Sequence, residues 1–462
     1  MDILDDDSLL CIFYLCRPTL LDEDEVDNAT ILEGGDWARE RWWYKLVKVC
    51  RRWRYLMFAS ASYLGLNLLC TYGTPVQDML AHSPPLPLIL DYLDEYHNIT
   101  AEDEEEVICA LKHPERVRRI RLFMPVPKLQ KLVSAVDEEF PILEYLYIEP
   151  PIKHSSGLSL PHTFKAPCLR HVILYTFAFP TRSPLITTTV GLVMLSIQDI
   201  HPSTYLRPHE LLQHLPLLLQ LETLGISFFS PFPSSEVDVQ LLHQQNMTDV
   251  TLPNLRWFGF RGVNTYLEAL LLRMTTPLLE KLQVLFFHQH NFSVPHLLQF
   301  MGAAKNLRFR SAKFQFSSNY FYVYVYPREG APMYSLYMDI SDIHLHWQVV
   351  SATQIFYQLR TVFSGLEHLA LEFRRSSASS EMNDDFDHTN WGELLKPFRN
   401  VKTLRLDDEL VGPLSRSLQE GELPTELLPE LNKLEYPGPE NLFSAFIDTR
   451  KNSGHHITVV HL

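Results

Sequence analysis

One spacing of apolar residues dominates this chain: two positions three apart, then a third two further on, occurring twelve times from Val117 onward. It is carried by Val117-Ile120-Leu122, Leu143-Leu146-Ile148, Leu169-Val172-Leu174, Leu192-Leu195-Ile197, Leu221-Leu224-Ile226 and Leu255-Phe258-Phe260. It continues through Leu282-Leu285-Phe287, Phe309-Ala312-Phe314, Met333-Leu336-Met338, Leu366-Leu369-Leu371, Val401-Leu404-Leu406 and Leu431-Leu434-Tyr436. Successive triplets lie 23 to 35 residues apart, about 29 on average. Each ends in strict alternation, the mark of a strand with one buried face. Between triplets the spacing turns helical. Thr100-Ala101-Glu102-Asp103 reads as a capping box ahead of Val107, Ile108 and Leu111. Leu129, Leu132 and Val133 form a further stripe, as do Leu211, Leu212 and Leu215 after Pro208. So do Leu267, Leu270 and Leu271 after Asn264, Leu297, Leu298 and Met301 after Pro295, and the stretch from Val349 to Leu359.

Every such unit leaves an apolar face that only its neighbours can cover, so the spacing predicts an α/β solenoid of strand–helix repeats. An ordinary doubly wound domain uses the same alternation. The solenoid is favoured by a recurring strand lead-in, as in Pro141-Ile142-Leu143-Glu144, Pro167-Cys168-Leu169-Arg170 and Pro253-Asn254-Leu255-Arg256. No Gly-rich phosphate turn follows any of the strands.

Hydrophobic residues at 46% and charged residues at 21% suit a folded protein with a large core. The formal net charge of -15 argues against holding a nucleic-acid backbone through the overall field. The six cysteines include no Cys-x-x-Cys pair, and residues 169–462 hold none, which suits buried thiols in a reducing compartment. The first residues are acidic where a signal peptide is basic. The most apolar stretch, Leu211 to Phe229, is interrupted by Gln213, His214, Pro216, Gln220 and Glu222. These features predict a cytoplasmic or nuclear protein that engages neither membrane nor nucleic acid.

The usual nucleotide, zinc-protease and hydrolase motifs are missing. His288-Gln289-His290 and His344-Leu345-His346 each offer two imidazoles, but neither has a third ligand at obvious spacing. No catalytic residue, metal or cofactor is therefore expected. Acidic clusters such as Asp407-Asp408-Glu409 and the basic run Lys45, Lys48, Arg51, Arg52 and Arg54 read as solvated faces. With triplet residues pointing inward, the residues between them should line a concave surface. They are Arg119, Arg121, Tyr145, Tyr147, His171, Tyr175, Trp257, Arg261, Phe286, His288, Tyr337, Asp339, His368 and Arg405. Aromatic and arginine side chains on an exposed face are common interface anchors, so this surface is the expected binding face for a protein client.

Ahead of the repeats the composition changes. Leu4, Leu9, Leu10, Ile12, Phe13 and Leu15 make a short helical stripe, and an acidic loop spans 22–36. Trp42, Leu46, Val49, Trp53 and Leu56 then fall at helical spacing and predict a single helix. The organisation expected is a small all-α module over 1–65, a connecting or capping segment over 66–110, the repeats over 111–440, and a cap or tail over 441–462.

The triplet pattern resembles the leucine-rich repeat family over roughly residues 110 to 440. It departs from regular members where Pro151, Ile200, His290 and Arg374 stand at the position usually given to Asn or Cys. Val49-Cys50-Arg51-Arg52-Trp53, with Leu9 to Phe13 before it, resembles the F-box. The whole chain is similar to the large F-box set of mushroom-forming fungi, with Arg52-Trp53-Arg54 and the phrase from Ser83 to Leu88 as shared wording. The resemblance implies a non-catalytic substrate-recognition subunit of a cullin-RING ubiquitin ligase. In that family the F-box docks an Skp-family adaptor, and through it a cullin, while the repeats hold a client. The adaptor-binding residues it implies are Leu4, Leu9, Leu10, Ile12, Phe13, Leu15, Leu46, Val49, Cys50 and Trp53. The alternative is a repeat scaffold whose F-box-like helices only cap the array.

Overall fold

The computed structural model describes residues 4–18, 40–93, 99–135, 138–151, 158–178, 184–231, 249–289, 291–317, 319–341, 344–374, 391–420, 427–439 and 441–462. The acidic stretch 22–36 and His290 lie outside them. The chain divides into two compact units, Met1–Tyr205 and Leu206–Leu462.

The first unit opens with helix α1 (Asp6–Leu15), whose N-terminus is capped by the Asp5 carboxylate accepting from the Ser8 N–H at 2.7 Å. Two short 3-10 turns follow, Trp42–Tyr44 and Leu46–Lys48, and then α2 (Arg51–Ala59) and α3 (Ala61–Leu64). The single helix expected across Trp42 to Leu56 is thus broken before Arg51. Cys50 is extended there, at φ -159° and ψ 171°, and its Sγ accepts from the Trp53 N–H as the cap of α2. A side chain that bonds its own backbone in this way offers an alternative to helix continuation.

Beyond this module six strands pair in parallel in sequence order: β1 (Leu68–Cys70), β2 (Leu88–Tyr92), β3 (Val117–Phe123), β4 (Tyr145–Glu149), β5 (His171–Tyr175) and β6 (Met194–Ile200). β1 and β2 fall inside the stretch read as a connecting segment. Helices α4 (Val76–His82), α5 (Ala101–Leu111), α6 (Val126–Ala135) and α7 (Pro184–Thr188) stand between strands. Leu111 of α5 and Leu129 and Leu132 of α6 share an apolar space with Ile120, Leu122, Leu146 and Ile148, so these helices cover the triplet face.

The second unit contains α8 (Pro208–His214), β7 (Thr223–Phe228), β8 (Val250–Thr251), β9 (Trp257–Gly262), α9 (Asn264–Leu271), β10 (Met274–Thr275), β11 (Lys281–Phe286) and α10 (Pro295–Ala303). Three strands follow, β12 (Ser311–Ser317), β13 (Tyr320–Tyr326) and β14 (Leu336–Ser341), then α11 (Leu345–Gln358), β15 (His368–Arg374) and α12 (Trp391–Leu395). The last elements are β16 (Thr403–Leu406), α13 (Asp408–Glu420), β17 (Lys433–Tyr436), α14 (Ser444–Asn452) and β18 (Thr458–His461). The sheet order is β7-β9-β11-β14-β13-β12-β15-β16-β17-β18, with β8 and β10 forming a separate parallel pair. β13 is antiparallel to both neighbours, while β11 pairs with β14 and β12 with β15 in parallel. The triplet spacing did not anticipate this three-stranded meander.

Triplet residues are buried throughout, except that Leu285 is half-buried and Met333 is 47% exposed. Helix residues meet them ring to ring, as in Phe258–Phe300 and Phe314–Phe356 at 6.0 and 4.7 Å, and Trp391 packs on Phe316 of β12 at 5.2 Å. Neighbouring units also exchange helix caps. Glu106 of α5 accepts from the Val76 N–H of α4 at 2.7 Å, and Glu268 of α9 accepts from the His296 and Leu297 N–H groups of α10 at 2.7 and 2.9 Å. Burial pushes the Glu268 carboxyl up to about 7 against those two bonds.

Candidate docking surfaces

The N-terminal module is held by one side of α1 and leaves the other bare. Leu9 and Phe13 are buried, Phe13 meeting Trp53 of α2 edge-to-face at 4.9 Å. Arg52 donates to Asp6 Oδ1 through Nε and Nη2 at 2.9 and 2.7 Å, and to the Leu4 carbonyl at 2.8 Å, closing α2 onto the start of α1. Away from these contacts Leu4, Ile12 and Leu15 are 44%, 40% and 81% exposed, and Cys11 is exposed as well. Within α1, Cys11 and Leu15 are four residues apart on the side roughly opposite Leu9 and Phe13, Ile12 flanks that side, and Leu4 lies just ahead of the helix. Val49 is also exposed, and Leu10, Leu46, Cys50 and Trp53 are half-buried. The expected adaptor contacts therefore sort into two groups. Leu9, Phe13 and Trp53 build the module, while Leu4, Ile12, Leu15 and Val49 face out.

In the first unit the residues between triplets line up across strands. One row runs Ile89, Arg119, Tyr145, His171, Met194, and the next Asp91, Arg121, Tyr147, Ile173, Ser196. Arg119 stays half-buried, its guanidinium 5.6 Å from the centre of the Tyr145 ring and 3.4 Å from Glu40. The second row is closed. Arg121 and Tyr147 are buried, which removes two residues expected on the binding face. Arg121 pairs with Asp91 at 3.0 Å, and the Tyr147 hydroxyl donates to Glu149 while its ring packs near Tyr175. Long side chains on adjacent strands pack laterally here, with Leu93, Ile173, Phe123 and Tyr145 in the same cluster. Burial raises the Asp91 carboxyl above its ordinary range in spite of Arg121.

The second unit keeps more of this side open. Trp257 is half-buried and lies along its strand over Gly259, where an added Cβ would stand 2.2 Å from Trp257 Cη2. Arg261 is half-buried with its guanidinium 5.4 Å from the Phe287 ring centre. His368 is half-buried, Nδ1 3.5 Å from a Glu329 carboxylate oxygen, and Arg405 is exposed. Phe286 belongs to the other side. It is 1% exposed, packs on Phe292 at 5.3 Å and shares the helix-covered face with Leu282 and Val284. His288 is exposed, two residues past the end of β11.

Sequence reasoning placed Tyr337 on this face but missed the tyrosines beside it. Tyr320, Tyr322, Tyr324 and Tyr326 alternate along β13 with the buried Phe321, Val323 and Val325, and Tyr337 and Tyr334 lie beside them. The alternation was present in the sequence, hidden because tyrosine counts as apolar on both sides of the pattern.

Among the described residues no helix is long and apolar enough to cross a membrane, and no three His, Cys, Asp or Glu side chains are grouped to hold a metal ion. No protein-family model matches the chain, and comparison with curated proteins gives no match.

Proposed function

We propose that this chain is the substrate-recognition subunit of a cullin-RING ubiquitin ligase, with residues 1–65 acting as an F-box and the strand–helix units as a leucine-rich-repeat-like solenoid that binds a protein client. The observation that carries the reading is the exposed apolar stripe formed by Ile12 and Leu15 of α1, with Leu4 just ahead of the helix, while Leu9 and Phe13 anchor it. A small module with little core of its own gains most by laying such a stripe in a partner's groove. In this reading the chain does no chemistry itself and works in the cytoplasm or nucleus.

The test is capture of a purified Skp-family adaptor by the full chain. Ile12→Asp with Leu15→Asp should weaken capture about thirtyfold or more while thermal unfolding stays unchanged. Leu9 and Phe13 are unsuitable positions because their substitution would unfold the module. Unchanged capture by the double variant would sink the docking assignment. No capture by the intact chain would favour the second reading, in which the helices only cap the array.

A further inference from the structure

Asp339 of β14 stands on the open side of the second unit's sheet, between Leu285 of β11 and Tyr322 of β13. It is 8% exposed, and its Oδ1 is fully shielded without a hydrogen-bond partner. Tyrosines surround it. Tyr322 is directly opposite, Tyr337 precedes it by two on the same strand, and Tyr320 and Tyr324 are the diagonal neighbours. Tyr322 lies 5.7 Å from Tyr320 and 6.2 Å from Tyr337, with interplanar angles of 21° and 22°. Burial and then the Asp339 charge raise the phenols of Tyr322 and Tyr337, so carboxylate and rings share one electrostatic environment.

Of the nearby cations only Arg261 acts on Asp339, its charge offsetting part of what burial does to the carboxyl. Arg261 shares the row of Asp339 but is two strands away with Leu285 between, and its guanidinium lies over Phe287. The Lys281 ammonium is 4.3 Å from the Tyr334 ring centre, Lys313 bonds Glu372 at 2.7 Å, and Arg374 is three strands off. A shielded carboxylate bordered by tyrosines favours one class of occupant, because aromatic rings and a carboxylate both attract a cation.

We infer that Asp339, with Tyr320, Tyr322 and Tyr337, is the subsite for a lysine or arginine side chain of a protein client. The inference rests on the reading of this face as the client surface and adds the chemistry that a client must present. The net charge of -15 works in the same direction by drawing a basic partner toward the chain.

The probe is a hexapeptide of alternating lysine and glycine, titrated into the full chain by calorimetry beside its Nε-acetylated counterpart. The lysine peptide should bind at least tenfold more tightly than the acetylated one. Asp339→Asn should remove that tenfold difference while keeping or raising the thermal midpoint. Arg261→Ala should leave binding intact or tighter. Equal binding of both peptides would overturn the cation subsite and leave the face as a peptide surface. No binding of the lysine peptide, or undiminished binding to the Asn variant, would overturn the inference. So would a lowered midpoint of that variant, since it would mark Asp339 as a structural partner of Arg261. Adaptor capture is read separately, so its outcome does not depend on this titration.

Discussion

Ionised Asp339 works against the fold, because burial lifts its carboxyl from 3.8 to about 6. The folded protein therefore holds the proton more tightly than the unfolded chain does. Stability rises as pH falls through 6 toward 4, and is penalised above 6. Asparagine should remove the penalty and raise stability by about 2 kcal/mol at pH 8. That gain should shrink through pH 6 and disappear below about pH 4, which denaturant melts at three pH values would measure. A gain independent of pH would show that ionisation is not its source. A neighbouring position shows where single-residue reading fails. Leu282-Gln283-Val284-Leu285-Phe286-Phe287 is apolar at every position but one, so alternation there cannot fix which side faces the helices. The triplet assigned Leu282, Leu285 and Phe287 inward, whereas along β11 the buried set is Leu282, Val284 and Phe286, Leu285 is half-buried, and Phe287 is buried just past the strand's end. Phe286→Ala should cost about 3 to 5 kcal/mol, as a core truncation does, and would not serve as a test of client binding.

At the scale of elements, the sequence was most legible where pattern and cap agreed. Thr100 and Asp103 form the capping box read from their spacing, Thr100 accepting from the Asp103 N–H at 3.0 Å and Asp103 from the Thr100 N–H at 3.0 Å. The same carboxylate accepts from the Gly73 N–H at 2.8 Å, thirty residues back, and no local pattern could reveal that bond. Burial works to raise the Asp103 carboxyl, but the Gly73 and Thr100 donors outweigh it, so its pKa lies below the ordinary value of 3.8. Its contribution is therefore complete above pH 3.8 and is lost as pH falls through the lowered value. Asp103→Ala should cost about 2 kcal/mol at neutral pH, with the difference from the parent closing in acid. A constant difference across that range would place the role of Asp103 in packing. The meander was illegible for a topological reason. β12 to β14 reverse direction and exchange neighbours, and a repeat template assumes that each strand lies beside the next.

For the whole molecule, alternation of strand and helix was readable because every unit repeats one burial demand, and the buried triplets meet it in both units. The surfaces were less readable, since exposure depends on neighbours that the sequence does not name. Ile12 and Phe13 are apolar neighbours in sequence, yet Trp53 of α2 packs on Phe13 while Ile12 stays exposed. The two candidate surfaces belong to different compact units, α1 to the first and Asp339 to the second. The proposed role treats the two surfaces as independent sites. Sites without shared partners contribute additively within about 0.5 kcal/mol. The Ile12→Asp, Leu15→Asp variant should therefore bind the lysine peptide within about twofold of the parent, and Asp339→Asn should capture the adaptor within the same margin. The triple variant should lose both functions without unfolding. A recognition subunit must hold client and adaptor at once, so independent binding is what the proposed role demands. If the adaptor instead changed the peptide's affinity tenfold, the two sites would be energetically coupled, and the chain would act as a switch between its partners.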